Sequence, residues 1–332
     1  MRTIAIDAMG GENAPKAIVD AVLKVKPELP ETKMVLFGDE AKIKALIPAE
    51  QLDDQLAIVN TTEVIADKDE PVKAIRSKKD SSMVVAANYV KQGKADALLS
   101  LGNTGALLAS GIFIIGRIKG IARPGLMPTL PASSYNNEFN IIDVGANAKS
   151  KAEYILQWAK MGTFYAEKVR GIKNPRVALL NNGAESDKGD DLHQEVYQLL
   201  AESSLNFIGN IEGNELMTGK ADVVATDGFS GNVALKSIEG MSSVLLHSLK
   251  DSLLNNGLFT KLGALMIKGG ISEMRQKYDT ARHGGAVLLG VNAPVVKTHG
   301  RSGARAIYYT LKQVDKILKE DLISNFKNEF GK

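Results

Sequence analysis

The chain of 332 residues lacks cysteine altogether. This excludes disulfides, thiolate metal ligands and a cysteine nucleophile, and it fits a reducing cytoplasm. Histidine is scarce as well, and the four that occur show neither an HExxH pattern nor any other metal-ligand spacing, so we predict no metal. The net charge of +3 is too small to predict a nucleic-acid partner.

Long uncharged runs are also rare. Asp7 interrupts the apolar start of the chain, so we expect no signal peptide. Residues 97–116 carry no charge and approach the length of a membrane span. Gly102, Asn103 and Gly105 put a turn inside this run, which predicts a buried strand followed by a buried helix.

What the chain does contain is an alternation of short apolar strands and amphipathic helices. We predict strands at residues 3–8, 34–37, 56–59 and 97–101, with helical spacing between them. This order is typical of a mostly parallel sheet in an α/β protein. The length is large for a single core, so we predict one two-lobed α/β unit over residues 1–332.

Residues 222–240 form the central motif. An apolar strand at residues 223–226 breaks at Asp227-Gly228 and again at Gly231-Asn232, and helical spacing then begins at Val233. Gly228 and Gly231 can adopt positive φ and expose backbone N–H groups, and a helix N-terminus follows them. This pattern predicts a phosphate or oxyanion site, although an ordinary strand–turn–helix joint is the alternative.

Polar loops follow several other predicted strands, at residues 100–106, 143–147, 181–189 and 298–303. Ligands of open α/β sheets bind at the carboxyl ends of the strands. We therefore expect these loops to contribute to one ligand site.

Two further segments have two interpretations each. Residues 67–80 are either a solvated surface or a basic rim of Lys73, Arg76, Lys78 and Lys79 that meets an acidic partner or a phosphate. Residues 241–268 predict a projecting helical hairpin with an apolar tip. This hairpin belongs either to the core or dimer interface, or to a surface that touches a membrane.

Five motifs follow one another along the chain: Asp7-Ala8-Met9-Gly10-Gly11, Ser100-Leu101-Gly102-Asn103-Thr104-Gly105-Ala106-Leu107, Asp143-Val144-Gly145-Ala146-Asn147, Thr226-Asp227-Gly228-Phe229-Ser230-Gly231-Asn232-Val233 and His299-Gly300. Taken together, in order and over essentially the whole chain, they resemble the motifs of bacterial phosphate acyltransferases. The chain departs from the family pattern at Glu12-Asn13, at Asn182 and residues 184–187, and at Arg301.

The resemblance implies a reversible transfer of a long-chain fatty acyl group from acyl carrier protein to inorganic phosphate, which gives acyl phosphate for phospholipid synthesis. No cofactor is implied. The implied fold is the two-lobed, three-layer architecture of phosphate acetyltransferases and of isocitrate and isopropylmalate dehydrogenases. The implied partners are the carrier protein, phosphate, a second copy in a homodimer, the membrane surface and a downstream membrane glycerol-3-phosphate acyltransferase. The implied location is the cytoplasm, with peripheral attachment to the inner face of the membrane.

We assign candidate roles on this basis. Thr104, Asn147, Gly228, Ser230 and Gly231 are expected to hold phosphate. Lys188 would neutralise phosphate or the oxyanion, Asn232 would donate to the oxyanion, and His299 would carry a proton to the leaving thiolate. Lys188 as a surface lysine, Asn232 as a helix cap and His299 as a loop-holding residue are the alternatives.

We also assign binding roles to two surfaces. The hairpin residues Leu254, Leu258, Phe259 and Leu262 would contact the acyl chain or the membrane. The basic rim, extended by Arg117 and Lys119, would dock the acidic carrier protein.

Three other functions remain open on the sequence. One is a phosphate acetyltransferase that uses acetyl-CoA, which assays with CoA and carrier thioesters would separate. Another is a metal-dependent decarboxylating dehydrogenase, but no GxGxxG fingerprint is present and Asp222 and Asp227 are few ligands. The last is a membrane-associated scaffold, for which the many glycine-containing strand ends would have no purpose.

Overall fold

Helices cover two β-sheets in this protein, whose computed structural model describes residues 1–133, 138–255 and 267–331. The strands are, in chain order, β1 (Arg2–Asp7), β2 (Thr32–Gly38), β3 (Leu56–Asn60), β4 (Ala97–Ser100), β5 (Gly125–Met127), β6 (Thr129–Pro131), β7 (Glu138–Ile142), β8 (Val177–Leu180), β9 (Phe207–Ile211), β10 (Val223–Ala225), β11 (Ala286–Leu289) and β12 (Val295–Lys297). The α-helices are α1 (Lys16–Val25), α2 (Glu40–Lys44), α3 (Pro71–Ser77), α4 (Ser82–Lys91), α5 (Thr104–Ser110), α6 (Ala152–Lys168), α7 (Asp191–Ala201), α8 (Gly228–Asn255), α9 (Lys268–Lys277), α10 (Ala304–Lys319) and α11 (Leu322–Phe330). Short 3₁₀ turns at Lys26–Glu28, Ala49–Gln51, Gly213–Thr218 and Thr280–His283, and a π-helical turn at Gly111–Ile115, complete the elements.

Most strand pairs are parallel. The larger sheet has the order β3-β2-β1-β4-β12-β11-β5, in which β11 alone runs antiparallel to its neighbours. The smaller sheet has the order β6-β7-β10-β8-β9, in which only the edge strand β6 is antiparallel. The mostly parallel α/β fold, which the alternation of strands and helices in the sequence predicts, is therefore confirmed.

Both faces of the sheets are buried, which makes three layers. In β1, Ile4 and Ile6 join an apolar cluster that includes residues of α1, α6 and α10, whereas Ala5 joins the cluster on the opposite face with residues of α4 and α5. All three side chains are fully buried. A strand that is buried on both faces is apolar throughout, which explains the continuous apolar runs in the sequence.

The two sheets meet along a short seam. Residues 125–131 pass from β5 in the larger sheet to β6 in the smaller one, and the N–H of Val144, just beyond β7, donates to Leu126 O at 3.0 Å. The sequence pattern indicates neither β5 nor β6, since each strand has three residues and prolines interrupt the apolar pattern. Pro131 is tolerated because β6 is an edge strand.

Helix α8 is unusually long and leaves an apolar stripe uncovered. Its 28 residues span about 42 Å at a rise of about 1.5 Å per residue. Leu235 and Ile238 pack on the core, but Met241, Val244 and Leu245 are 68%, 62% and 60% exposed. Leu258, Phe259 and Leu262 of the predicted hairpin lie outside the described residues, as does the side chain of Leu254.

The uncharged run at residues 97–116 folds into β4, α5 and the π-helical turn, so the predicted strand and buried helix are confirmed. Among the described residues, no helix is both long enough and apolar enough to cross a membrane.

Candidate active site

A cavity of about 240 Å³ opens at the seam between the two sheets. Lys297 and His299 line it from the carboxyl end of β12, Thr104 from the start of α5, and Asn232 from α8. Leu126 and other seam residues form an apolar wall. The structure thus brings together three predicted site residues, Thr104, Asn232 and His299, from three distant segments of the chain.

A larger cavity, of about 850 Å³, lies away from these residues. Met1, Arg2, Asp96 and Leu322 line part of it, near the amino ends of β1 and β4. None of the predicted site residues lines it. Since parallel sheets bind ligands at the carboxyl ends of their strands, we take the smaller cavity as the candidate active site.

Asp7 organises the loops on the larger-sheet side of the cavity. It ends β1, is almost fully buried and accepts hydrogen bonds from Ser82 Oγ and Ser100 Oγ, both at 2.6 Å. Burial raises the pKa of Asp7, and these donors oppose the shift. A Cβ at Gly10 would lie 2.6 Å from Asp7 Oδ2 and from Gly102 N, so glycine is required where the two loops meet.

Asp143 organises the corresponding loop of the smaller sheet. Its carboxylate accepts from the N–H groups of Leu126, Ala146 and Asn147 at 2.8–3.0 Å. Burial raises the pKa of Asp143 against these donors. The side-chain amide of Asn147 donates to Asp143 Oδ2 at 3.0 Å and to Pro124 O at 2.8 Å. Both amide hydrogens of Asn147 therefore hold the loop and are not free for a phosphate.

The start of α8 differs from the expected anion pocket. Gly228 and Gly231 lie within the helix and neither has positive φ, so the predicted conformation and the predicted break at Gly231-Asn232 are wrong. The N–H groups of Phe229 and Ser230 donate to Asp227 Oδ1, that of Gly231 to Asp227 O, and that of Gly228 weakly to Ser150 Oγ at 3.4 Å.

Close packing explains these glycines instead. A Cβ at Gly228 would lie 2.1 Å from Asn147 O, and one at Gly231 would lie 2.0 Å from Asp143 O. Any larger residue would push α8 away from the loop after β7. The glycines therefore let the first turn of α8 lie directly on that loop, which sets the position of Asn232 one turn later.

Asn232 is the fifth residue of α8, and Asp227 provides the cap, so the alternative in which Asn232 caps the helix is wrong. Its side-chain atoms lie 3.4–3.7 Å from the point where a Cβ at Gly145 would sit. Gly145 has φ of +121°, a conformation that favours glycine. The missing side chain leaves room for the Asn232 amide beside the cavity.

His299 is exposed at the mouth of the cavity in a loop tied to the first helix. Its Nδ1 accepts from Arg301 N at 3.2 Å, so the neutral ring carries its proton on Nε2. Arg301 Nε contacts Glu12 Oε1 at 3.0 Å, and Asn13 Nδ2 donates to Arg301 O at 3.2 Å. The departures from the family pattern at Glu12, Asn13 and Arg301 are therefore in contact with one another.

Lys297 is a cavity residue that the sequence reasoning missed. It ends β12, and its Nζ donates to Leu101 O at 3.2 Å and Thr298 O at 2.5 Å. Burial lowers the pKa of Lys297 to about 8, although Asp67 and Asp7 oppose the shift. A lysine directly after two buried valines was the available signal, because a charged residue at the carboxyl end of a parallel strand faces the ligand edge.

Lys188 lies apart from the cavity. It is exposed in the loop after β8, where its carbonyl accepts from Asn181 Nδ2 at 3.1 Å. It is not among the residues that line the cavity. The loop nevertheless lies at the carboxyl edge of the smaller sheet, because β8 is parallel to its neighbour β10.

His193, to which the sequence analysis assigns no role, connects two of these loops. Its Nδ1 lies 2.6 Å from Asp190 Oδ1 at the start of α7, and its Nε2 lies 3.6 Å from Asp227 Oδ2. The second distance is too long for a hydrogen bond, so this contact is electrostatic. Asp227 and Asp190 raise the pKa of His193 against the effect of burial. Despite this grouping, residues 1–133, 138–255 and 267–331 contain no cluster of three or more acidic or histidine side chains suited to hold a metal.

The sequence matches the model of a protein family described as "Fatty acid synthesis protein" over residues 2–325. Phosphate acyltransferase from Lactobacillus acidophilus is 72% identical over 331 residues, which cover 100% of this chain and 99% of that protein. Phosphate acyltransferase from Latilactobacillus sakei is 52% identical and covers 99% of this chain and 97% of its own length.

Solved structures with a similar fold include a phosphotransacetylase from Streptococcus pyogenes and a branched-chain phosphotransacylase from Enterococcus faecalis. The first has a TM-score of 0.62 at 18% identity and covers 96% of this chain and 94% of its own. The second has a TM-score of 0.59 at 14% identity and covers 95% of this chain and 98% of its own. At these identities the likeness shows the fold, and it confirms the expected phosphate acetyltransferase-like architecture.

Proposed function

The chain belongs to the fatty acid synthesis protein family, and we propose that it transfers a long-chain fatty acyl group reversibly from acyl carrier protein to inorganic phosphate. The product is an acyl phosphate, and its use is phospholipid synthesis. The relatives named phosphate acyltransferase, which match the chain from end to end, support the acyltransferase activity. No cofactor is required, because phosphate is itself the nucleophile.

The observation that carries the proposal is the seam cavity with Thr104, Asn232 and His299 on its walls. Acyl transfer to phosphate needs both substrates held together, and such positioning can supply several kcal/mol of the barrier, up to roughly 7–11 kcal/mol in favourable cases. A cavity with polar groups from both sheets and an apolar wall from Leu126 suits a phosphate and a thioester side by side.

In the proposed reaction, Thr104, Asn232 and His299 each have one role. An oxygen of HPO₄²⁻ attacks the thioester carbonyl carbon, with the Thr104 hydroxyl holding the phosphate. Asn232 Nδ2 donates to the oxyanion that develops on the carbonyl oxygen. The C–S bond then breaks, and His299 in its imidazolium form gives the Nε2 proton to the thiolate; the neutral ring then takes up the proton that the phosphate brought in. The proton of HPO₄²⁻ thus ends on the carrier thiol.

Lys188 and the glycine turn have supporting roles in this proposal. Lys188 is exposed at the carboxyl edge of the smaller sheet and neutralises incoming phosphate. Gly228, Ser230, Gly231 and Asn147 hold the loop and the first turn of α8 that carry Asn232. Since their N–H groups already have acceptors in the protein, we now assign the direct phosphate contact to Thr104 rather than to them.

The acidic carrier protein docks on α3 in this proposal. Lys73 and Arg76 of α3, and Lys79 after it, are exposed. Helix α3 packs against α5, whose first residue, Thr104, lines the cavity, and this proximity supports docking on α3. Lys78 is less available than the sequence suggests, because its Nζ binds Asp69 Oδ2 at 2.6 Å.

The apolar stripe on α8 makes a peripheral contact with the inner face of the cell membrane in this proposal. Met241, Val244 and Leu245 lie at helical spacing and are exposed, which is the pattern of an interfacial helix. A cytoplasmic homodimer attached in this way would release acyl phosphate near the downstream membrane glycerol-3-phosphate acyltransferase.

The test follows free thiol while the purified protein is incubated with a long-chain acyl–carrier thioester, with and without phosphate. We expect phosphate-dependent thiol release with acyl phosphate as the product, and a slower release in the Lys188→Ala variant. Release without phosphate would mean a thioesterase. Release from acetyl-CoA but not from the carrier thioester would mean an acetyltransferase instead.

A further inference from the structure

We propose that Lys297 is the cation that binds the phosphate in the seam cavity, together with the Thr104 hydroxyl. This inference deepens the proposed function and rests on it for the identity of the anion. It assigns phosphate binding to the carboxyl end of β12 in the larger sheet and away from the glycine turn of α8.

The geometry of the ammonium group supports this assignment. A lysine ammonium has three N–H donors. Two of them in Lys297 point to Leu101 O and Thr298 O, which are backbone acceptors on the loops after β4 and β12. These bonds hold Nζ at the cavity wall, and the third donor remains for a ligand in the cavity that Lys297 lines.

The charge balance points in the same direction. A buried charge is costly unless an opposite charge or hydrogen bonds compensate it. Within the part of the chain that the structure describes, Lys297 has carbonyl acceptors but no ion pair. Asp67 and Asp7 act on Lys297 only beyond ion-pair distance, and Asp7 is already engaged with Ser82 and Ser100. A bound anion would supply the missing opposite charge.

Lys26 is a useful comparison within the same molecule. It is buried, at 6% exposure, whereas Lys297 is half-buried, and its Nζ binds Asp53 Oδ2 at 2.7 Å as well as Gln51 O at 2.6 Å. The protein therefore supplies a directly paired carboxylate for Lys26, outside the cavity, whereas among the described residues Asp67 and Asp7 act on Lys297 without forming an ion pair with it. This contrast is expected if Lys297 is reserved for a ligand.

The protonation state is compatible with this role. Although burial lowers the pKa of Lys297 to about 8, the group still carries its charge in most molecules at neutral pH. The glycine turn has no comparable group, because the N–H groups of its first residues already have protein acceptors. Lys297 is thus the better-placed donor for a phosphate oxygen.

The experiment compares the Lys297→Met and Lys297→Arg variants with Lys26→Met as the matched control. Binding of inorganic phosphate is measured without acyl donor by ³¹P NMR titration, and the KM values for phosphate and for the acyl carrier are then determined separately. We expect Lys297→Met to weaken phosphate binding and raise the phosphate KM by at least about tenfold, the scale of one charged hydrogen bond. The KM for the carrier should change little, and Lys297→Arg should recover part of the phosphate affinity.

The control separates ligand binding from structural effects. Lys26→Met should lower the melting temperature and leave phosphate affinity as it is. The inference is overturned if Lys297→Met lowers only the melting temperature, or raises only the KM for the carrier, while phosphate binding stays the same. If the wild-type protein binds phosphate through Lys297 but transfers no acyl group, the proposed function fails and the anion site stands.

Discussion

His193 lies between two carboxylates and joins two loops, with its Nε2 3.6 Å from Asp227 Oδ2 and its Nδ1 2.6 Å from Asp190 Oδ1. Asp227 also caps α8, the helix that carries Asn232 into the cavity. When it is protonated, the imidazole therefore holds the start of α7 against the start of α8. This electrostatic contact therefore connects the loop that contains Lys188 to α8, the helix that contains Asn232.

Stability should depend on pH through this contact. The pKa of His193 is raised, so its contribution is fully present below the unfolded value of about 6.5 and is lost as pH rises through the folded value. Although burial opposes it, His193 and the N–H donors of α8 hold the pKa of Asp227 well below its usual range, so that contribution disappears only in strong acid. We expect His193→Gln to lose about 1–2 kcal/mol near pH 6 and less near pH 9. Urea unfolding at both pH values checks this, and an equal loss at both would contradict the charged contact.

Asn232→Ala should reduce kcat strongly without unfolding the protein. If Asn232 Nδ2 donates to the oxyanion, its removal costs roughly 10²–10³-fold in kcat. The helix keeps its cap, because Asp227 provides it. Ser237→Ala, at an exposed position of the same helix, is the control and should change neither rate nor stability. A decrease in kcat of less than tenfold, measured by free-thiol release, would show that Asn232 does not stabilise the oxyanion.

His299→Ala should slow thiol departure specifically. Removal of a general acid typically lowers the rate by about 10²–10⁴-fold. The rate decrease should be smaller for thioesters whose thiol is more acidic, because such a thiol leaves without a proton. Arg301→Ser is the control, since it breaks only an exposed ion pair with Glu12, and such pairs contribute little. The same loss for acidic and ordinary thiols would show that His299 only shapes the loop.

Reversal of the charges on α3 should weaken carrier docking. We expect Lys73→Glu combined with Arg76→Glu to raise the KM for the acyl carrier by about tenfold or more at low salt, and to leave the KM for phosphate unchanged. The effect should shrink as salt is added, because exposed charges are screened. Lys160→Glu combined with Lys173→Glu makes the same charge change on the face covered by α6. If that control weakens carrier binding equally, the docking surface is not α3.

The apolar stripe of α8 should bind vesicles. Met241→Ser, Val244→Ser and Leu245→Ser together should reduce co-sedimentation with anionic lipid vesicles, since exposed apolar area drives interfacial binding. Phosphate-dependent thiol release from a water-soluble acyl donor should persist. Analytical ultracentrifugation of the same variant decides the alternative: a shift from dimer to monomer with vesicle binding intact would assign the stripe to the dimer interface.

Two lysines show the limit of sequence reasoning at the site. Lys188 is prominent because it follows a long polar loop, and the structure leaves it exposed and outside the cavity. Lys297 is inconspicuous at the end of a short strand, yet β12 inserts between β4 and β11 and so carries it beside Thr104. Strand order in a sheet depends on long-range pairing, which no local pattern in the chain records.

The glycines of the central motif, Gly228 and Gly231, show a second limit of prediction from the sequence. The change from a strand to a helix is correctly predicted, because an apolar run and a polar break are local signals, but the helix begins at Gly228 and not at Val233. The reason for Gly228 and Gly231 is not local: atoms of Asn147 and Asp143, far away in sequence, occupy the space that a side chain would need. A glycine that binds an anion and a glycine that allows close packing look alike in sequence.

The sequence by itself determined the α/β class, the alternation of strands and helices, the polar carboxyl ends and the family, because periodicity, turn residues and motif order are properties of the chain. Only the tertiary structure decided which of those ends share a cavity. It joined Thr104, Asn232, Lys297 and His299, left Lys188 outside the cavity, and placed His193 against Asp227. These relationships depend on how two sheets meet at one seam, where residues more than a hundred positions apart become neighbours.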